Sequence, residues 1–139
     1  GDTIRELGHE YGTTTKRPRR CGWLDLVALN YAIMINGITA IALNHLDTIG
    51  KLDKIKLCVA YKYKGKITKN FRTNIDFLNN SEAVYEEFPG NFGDISHCKT
   101  FEELPLKAQN YVKRIEELTD TKVKFIGTGA GRDCIIVRE

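Results

Sequence analysis

The apolar positions of this chain predict a mixture of helices and strands. Residues 23–36, WLDLVALNYAIMIN, are apolar almost all round and end at Asn36-Gly37, a pair that favours a left-handed helix stop. A buried helix is therefore expected there. The next run, ITAIAL at 38–43, is short and rich in β-branched residues, which predicts a strand buried on both faces. A helix followed so closely by such a strand is typical of α/β proteins.

Strict alternation then predicts a β-hairpin. In residues 54–63, KIKLCVAYKY, five side chains share one face of the predicted strand: Ile55, Leu57, Val59, Tyr61 and Tyr63. Gly65 turns the chain into KITKNF, which is expected to pair back. Residues 70–99 carry several Asn, Gly and Asp and are predicted mostly as loop, with a strand near 84–88.

The end of the chain predicts one helix and two strands. From Leu104 the apolar residues recur at helical spacing, with Pro105 in the first turn. Thr100 and Glu103 have the spacing of a capping box just before it. After Thr121 come KVKFIG and CIIV, two strand-like runs separated by GTGAGRD.

Composition narrows the class of protein. The 139 residues are 42% hydrophobic and 28% charged, which suits one folded domain or a piece of a larger one. The longest apolar run, around 26–35, is broken by Asn30 and is too short for a bilayer, so a cytosolic setting without membrane association is expected. The chain opens at Gly1 without methionine and enters a patterned segment at once, so it is interpreted as a fragment or a processed piece.

Cysteine spacing bears on disulfides, and the charge distribution bears on the kind of ligand. The four cysteines lie far apart with no CxxC pair, and they are interpreted as free thiols. Residues 1–72 hold 13 Lys and Arg against 6 Asp and Glu, a balance of +7, whereas residues 73–139 hold 8 against 12, or −4. The basic half is expected to attract phosphates or carboxylates.

Residues 13–20, TTTKRPRR, concentrate hydroxyls and cations beside the predicted helix. Arginine forks grip carboxylate or phosphate through paired bonds. Pro18 presses Arg17 toward an extended conformation, so Arg17 and Arg19 are expected to point the same way, toward a small dianion. A solvated basic loop remains equally open as an interpretation. A nucleic-acid patch is less favoured, because no aromatic residue is interleaved with the arginines.

Two other segments are candidate sites. Asn44 to Asp47 close the strand at 38–43, and ligands of α/β sheets collect at the carboxyl ends of strands. A carboxylate at Asp47 can accept two N–H bonds from a guanine edge, although a turn residue or helix cap is the stronger reading of that residue alone. The segment GTGAGR at 127–132 lacks the following helix of a phosphate loop. A turn lying against a flat base and a plain structural turn both remain open there, and no catalytic histidine arrangement is defensible.

Four stretches together resemble a known family. GHEYGTTTKRPRRCGWLDLVALNYAIMINGITAIALNHLD at 8–47, followed by KIKLCVAY, YVKRIEEL and FIGTGAGR, is similar to the C-terminal third of adenylosuccinate synthetases. The resemblance implies an α/β fold, as the C-terminal portion of a large mixed-sheet, P-loop-like synthetase domain, with residues 1–139 a single partial domain. It implies GTP- and Mg²⁺-dependent ligation of L-aspartate to IMP in purine biosynthesis, giving adenylosuccinate, GDP and phosphate, by a cytoplasmic homodimer.

The resemblance also implies roles for particular residues. The mobile loop that closes on aspartate corresponds to Thr13, Thr14, Thr15, Lys16, Arg17, Pro18 and Arg19. Arg17 is also expected to reach the nucleotide ribose, and Arg19 to lie between substrate and GTP. The GTP-binding set implied by the family is completed by His45, Leu46, Asp47, Gly127, Thr128 and Gly129.

Departures from the family pattern limit what the chain can do. His45 stands where the family has lysine, and Gly127 where it has serine, so GTP affinity is expected to change while Asp47 still selects guanine. Nothing matches the family's GDEGKGK-like phosphate loop, and its catalytic residues and Mg²⁺ ligands are expected in the N-terminal part. The chain alone is predicted to be inactive. A small basic nucleic-acid-binding module remains the alternative function.

Overall fold

The computed structural model describes all of residues 1–139. Five helices and seven strands follow one another along the chain. The helices are α1 (Asp2–Gly8), α2 (Leu26–Asn36), α3 (Leu46–Ile49), α4 (Ile75–Asn80) and α5 (Leu106–Thr119). The strands are β1 (Leu24–Asp25), β2 (Ala40–Leu43), β3 (Lys54–Tyr63), β4 (Lys66–Thr68), β5 (Ser81–Pro89), β6 (Lys122–Gly127) and β7 (Ile135–Val137).

Strand β3 is the centre of a four-stranded sheet. It pairs with β5 in antiparallel fashion along its length, while β1 runs parallel to its first half and β4 antiparallel to its end. The predicted hairpin is confirmed, with Lys64 and Gly65 at positive φ in its turn. The prediction of a single apolar face on β3 is only partly right, because the pairing register with β5 shifts between Cys58 and Ala60. Both of those residues are buried as well, so the middle of β3 is covered on both faces.

The second sheet has the order β2-β6-β7. Strands β2 and β6 are parallel, and β7 runs antiparallel to β6, as the two strand-like runs near the end predicted. Because parallel strands end at the same edge, the residues after Leu43 come to lie beside Gly127. This edge carries the candidate site.

Helix α5 covers the main hydrophobic core, which joins the two sheets. Its buried face includes Tyr111, Val112 and Ile115, and the helix contacts α2, β5 and β6. The predicted helix is confirmed, but the capping box is wrong. The Glu103 carboxylate accepts the Lys99 N–H at 2.7 Å and closes a turn ahead of the helix, which begins only after Pro105.

Helix α2 was predicted over residues 23–36, but it begins at Leu26, after the short strand β1, and it is not completely buried. The Asp25 carboxylate caps it by accepting the Val27 N–H at 2.9 Å, and Gly37 ends it at φ 60°. Only its first turn is buried, whereas Met34 is 70% and Ile35 58% exposed. A helix that is apolar all round is expected to be buried on every side. Within this chain, however, only one side of α2 packs against other residues.

Two further sequence expectations need correction. Strand β2 is half-buried rather than covered on both faces, and it pairs with β6 on one edge only. The segment 70–99 contains β5, which is longer than expected, and also helix α4, which was missed. Its local cause is Asn74, whose side chain accepts the Phe77 N–H at 2.8 Å.

The cysteines form no disulfide bonds. All four cysteines are free: Cys58 and Cys98 are buried, and Cys21 and Cys134 are half-buried. No helix has the length and apolar character needed to cross a membrane.

Candidate functional site

The basic loop is a tight bend held by its own backbone. Tyr11 and Pro18 form an antiparallel bridge, the Gly12 N–H donates to the Arg17 carbonyl at 2.9 Å, and the Lys16 N–H donates to the Gly12 carbonyl at 2.8 Å. Lys16 adopts a positive φ of 55° at the turn. All residues of 13–20 are exposed. The loop therefore has a defined base and presents its hydroxyls and cations outward.

Arg17 and Arg19 have different surroundings. The Arg19 guanidinium donates to Glu10 Oε2 at 2.9 Å, and its backbone N–H donates to the Glu10 carbonyl at 3.0 Å. The Arg17 guanidinium takes part in no hydrogen bond or ion pair. One arginine is anchored, and the other is available to a ligand.

The segment predicted to bind guanine begins where β2 ends. His45 sits at φ 61° before α3, with Nδ1 3.4 Å from the Thr48 hydroxyl and Nε2 3.3 Å from Glu10 Oε1. Leu46 is fully buried and anchors the segment in the core. Asp47, in the first turn of α3, is half-buried. The short helix thus sets the position of Asp47 just after β2.

The β6–β7 turn lies directly against that segment. A Cβ added to Gly127 would lie 3.2 Å from Asn44 Oδ1 and 3.7 Å from the backbone nitrogen of His45. Thr128 donates its N–H to the Cys134 carbonyl at 2.9 Å and is fully buried. Its hydroxyl has no hydrogen-bond partner in the chain. An unpaired buried hydroxyl is costly to the fold.

Two cavities meet at Asp47. One, of about 490 Å³, is walled by α1, the β2–α3 junction and the β6–β7 turn, including His45, Asp47, Gly127 and Gly129. The other, of about 690 Å³, is lined by Asp47, Thr128 and Gly129 and by the segment 91–96. The structure therefore brings the two predicted guanine-side segments together. The loop residues 13–19 line neither cavity.

Three features of the site escaped sequence reasoning. Lys51 lines both cavities, and the wall at 91–96 brings Asp94 and Ser96 to the larger one. Hydrogen bonds from Ser96 hold the pKa of the Asp94 carboxyl below its usual value, so this wall stays anionic. Glu10, which links Arg19 to His45, was also missed. Nothing in PGNFGDIS or HEYG distinguishes these residues from ordinary loop residues.

The chain shows no preformed cluster of metal-ligating side chains. No group of three or more His, Cys, Asp or Glu side chains is arranged to hold a metal ion. Magnesium requires oxygen ligands in near-octahedral geometry. No chemical step is therefore assigned to a metal held by these residues.

Comparison with known proteins gives one consistent answer. The family model described as Adenylosuccinate synthetase matches residues 1–136. A relative from Acetivibrio thermocellus named Adenylosuccinate synthetase is 59% identical over 99% of this chain and 32% of its own length. One from Ostreococcus tauri, named Adenylosuccinate synthetase, chloroplastic, is 51% identical over 99% of this chain and 29% of its own length.

A solved structure agrees with the sequence relatives. The fully ligated adenylosuccinate synthetase from Plasmodium falciparum superposes with a TM-score of 0.93 at 43% identity, over 100% of this chain and 34% of that one. The chain thus spans about a third of the length of the proteins it matches. The similarity to an α/β synthetase expected from the sequence is confirmed, and the chain belongs to the adenylosuccinate synthetase family.

Proposed function

We propose that residues 1–139 are a single partial domain of an IMP–aspartate ligase. The complete enzyme uses GTP to join L-aspartate to IMP, releasing adenylosuccinate, GDP and phosphate in purine biosynthesis. This chain supplies the guanine pocket and the loop that receives aspartate and IMP. Membership of the family and its match to a third of each relative support this division of labour.

The observation that carries the proposal is the meeting of two distant segments around Asp47. Guanine presents two neighbouring N–H donors along one edge, and adenine presents no such pair. The Asp47 carboxylate, on the wall shared by both cavities, accepts both donors. The close approach of Gly127 to Asn44 leaves a narrow backbone surface beside the base. A cavity of about 490 Å³ lies within the range of pockets that take small ligands.

The loop at 13–19 supplies the second half of the proposal. L-Aspartate is a dicarboxylate, and an unpaired Arg17 beside three exposed threonines offers charge-assisted and neutral donors for it. The self-bonded base of the loop lowers the conformational entropy lost when a ligand binds. Closure of the loop over the ligand then excludes water from the reaction.

Other requirements lie outside these residues. Phosphoryl transfer from GTP, and the Mg²⁺ that accompanies it, are assigned to the part of the enzyme that this chain does not match, so the 139 residues alone are inactive. The complete enzyme is proposed to act as a cytoplasmic homodimer.

A chimeric enzyme tests this function. The matched part of this chain replaces the corresponding third of the Acetivibrio thermocellus relative, to which it is 59% identical. We expect the purified chimera to form adenylosuccinate only when IMP, aspartate and GTP are all present. The isolated 139-residue chain serves as the control and should release no phosphate.

Two outcomes would contradict the proposal. A folded chimera without turnover would show that this chain does not supply the missing third. Turnover by the isolated chain would show that the catalytic residues were assigned to the wrong part. Nucleic-acid binding that weakens steeply with salt, in place of turnover, would favour the basic-module alternative.

A further inference from the structure

We propose that Glu10 is a positioning residue that ties the aspartate loop to the nucleotide side of the site. This inference rests on the function proposed above. Glu10 uses both carboxylate oxygens at once, Oε2 on Arg19 Nη1 at 2.9 Å and Oε1 on His45 Nε2 at 3.3 Å. Its side chain is only 22% exposed. It thereby connects two segments that are 26 positions apart and contribute to different substrate sites.

Glu10 is itself held firmly. Its backbone N–H donates to the Arg5 carbonyl of α1 at 2.9 Å, after His9 turns the chain at φ 51°. Its carbonyl accepts the Arg19 N–H at 3.0 Å. The Arg5 guanidinium adds a bond to the Arg19 carbonyl at 3.4 Å. Arg19 is therefore fixed through both main chain and side chain to the end of α1, and α1 packs on α3.

This arrangement gives Arg17 and Arg19 different freedom to move. Arg19 is held beside the proposed guanine-binding segment, while Arg17, two residues earlier, has no side-chain partner and can move with the bound aspartate. Glu10 therefore holds the fixed point relative to which Arg17 moves. Its removal should weaken the binding of both GTP and aspartate, because Arg19 and His45 lose the same support.

Kinetics of the chimeric enzyme test the inference. We expect Glu10→Gln, which removes the charge and keeps the shape, to raise KM for aspartate and for GTP about tenfold each. The turnover number should stay within about threefold, because Glu10 touches no reacting atom. Glu82→Gln is the matched control: this exposed glutamate of β5 makes no ion pair and should change neither constant.

A double variant separates positioning from plain structural support. If Glu10 acts on aspartate through Arg19, Glu10→Gln should change KM for aspartate by less than about twofold in an Arg19→Ala background. Additive effects of the two changes would overturn the inference. So would unchanged KM values in Glu10→Gln, or a fall in turnover number alone.

Trypsin treatment of the 139-residue chain gives a test that needs no activity. Release of Arg19 should speed cleavage after that residue about threefold in Glu10→Gln, with Glu82→Gln equal to the parent chain. Equal cleavage in all three chains would overturn the inference even if the chimera were inert. A folded but inert chimera, together with faster cleavage in Glu10→Gln, would refute the proposed ligase function and support the role of Glu10 in holding Arg19.

Discussion

The basic loop and the two cavities that meet at Asp47 differ in how the fold supports them. Every residue of 13–20 is exposed, and the loop is held by backbone hydrogen bonds and by Glu10. The cavity wall is built on Leu46, Ile126 and Thr128, none of which is exposed at all. One region is anchored in the core, and the other is attached at its base.

Because of that difference, the cavity wall and the loop are suited to different steps of substrate binding. A wall packed into the core is pre-organised, so it can discriminate between bases without moving. A loop with few buried contacts opens at little cost and can admit a substrate before closing on it. Substitutions in the loop should therefore change kinetics with little effect on stability. Substitutions behind the wall should change stability first.

The largest expected effect is on aspartate binding, when the unpaired guanidinium of Arg17 is removed. In the chimeric enzyme, Arg17→Ala should raise KM for aspartate about 100-fold, since a charge-assisted pair to a carboxylate is worth about 3 kcal/mol. Arg20→Ala is the control, because it removes an equally exposed cation of the same loop. Normal aspartate kinetics in Arg17→Ala would refute the role given to this residue.

A pair of glycine substitutions contrasts the stability of the two regions. A Cβ on Gly90, behind the cavity wall, would lie 1.8 Å from the Leu52 carbonyl oxygen, whereas one on Gly22, beside the loop, meets nothing within 4 Å. We expect Gly90→Ala to lower the free energy of unfolding by about 2 kcal/mol, because backbone must shift. Gly22→Ala should leave it within about 0.5 kcal/mol. Urea unfolding measures both, and equal losses would contradict the contrast.

The smallest effect concerns His45, a position at which the family resemblance implies a lysine. His45→Lys places a permanent cation beside Glu10 and should lower KM for GTP about threefold, as expected for a partly exposed ion pair. The same change in a Glu10→Gln background should give no gain. An equal gain in both backgrounds would show that Glu10 is not the partner of residue 45.

Local patterns predicted most of the elements, and their failures have physical causes. Alternation predicted β3 and its hairpin, because the two ends of β3 alternate between buried and more exposed residues. Helical spacing predicted α5, because that helix is amphipathic along its own length. Helix α2 was predicted to be buried, but periodicity cannot say whether a partner is present, and Met34 is exposed. Helix α4 is only six residues long and depends on one cap, Asn74.

The candidate site shows the same limit. Family resemblance supplied the loop and the two guanine-side segments, and the parallel pairing of β2 with β6 brings those two segments together. Glu10 and the wall at 91–96 were missed because their importance arises only from tertiary contacts with Arg19, His45 and Gly129. No local pattern carries that information.

The nucleotide preference of Asp47→Asn in the chimeric enzyme tests whether the Asp47 carboxylate reads the guanine base. Xanthine carries an acceptor where guanine carries its second donor, and an asparagine amide matches that pair of groups while a carboxylate does not. The parent chimera should use GTP and reject xanthosine triphosphate, and Asp47→Asn should reverse the ratio of their kcat/KM values. An unchanged preference for GTP in Asp47→Asn would show that this carboxylate does not read the base.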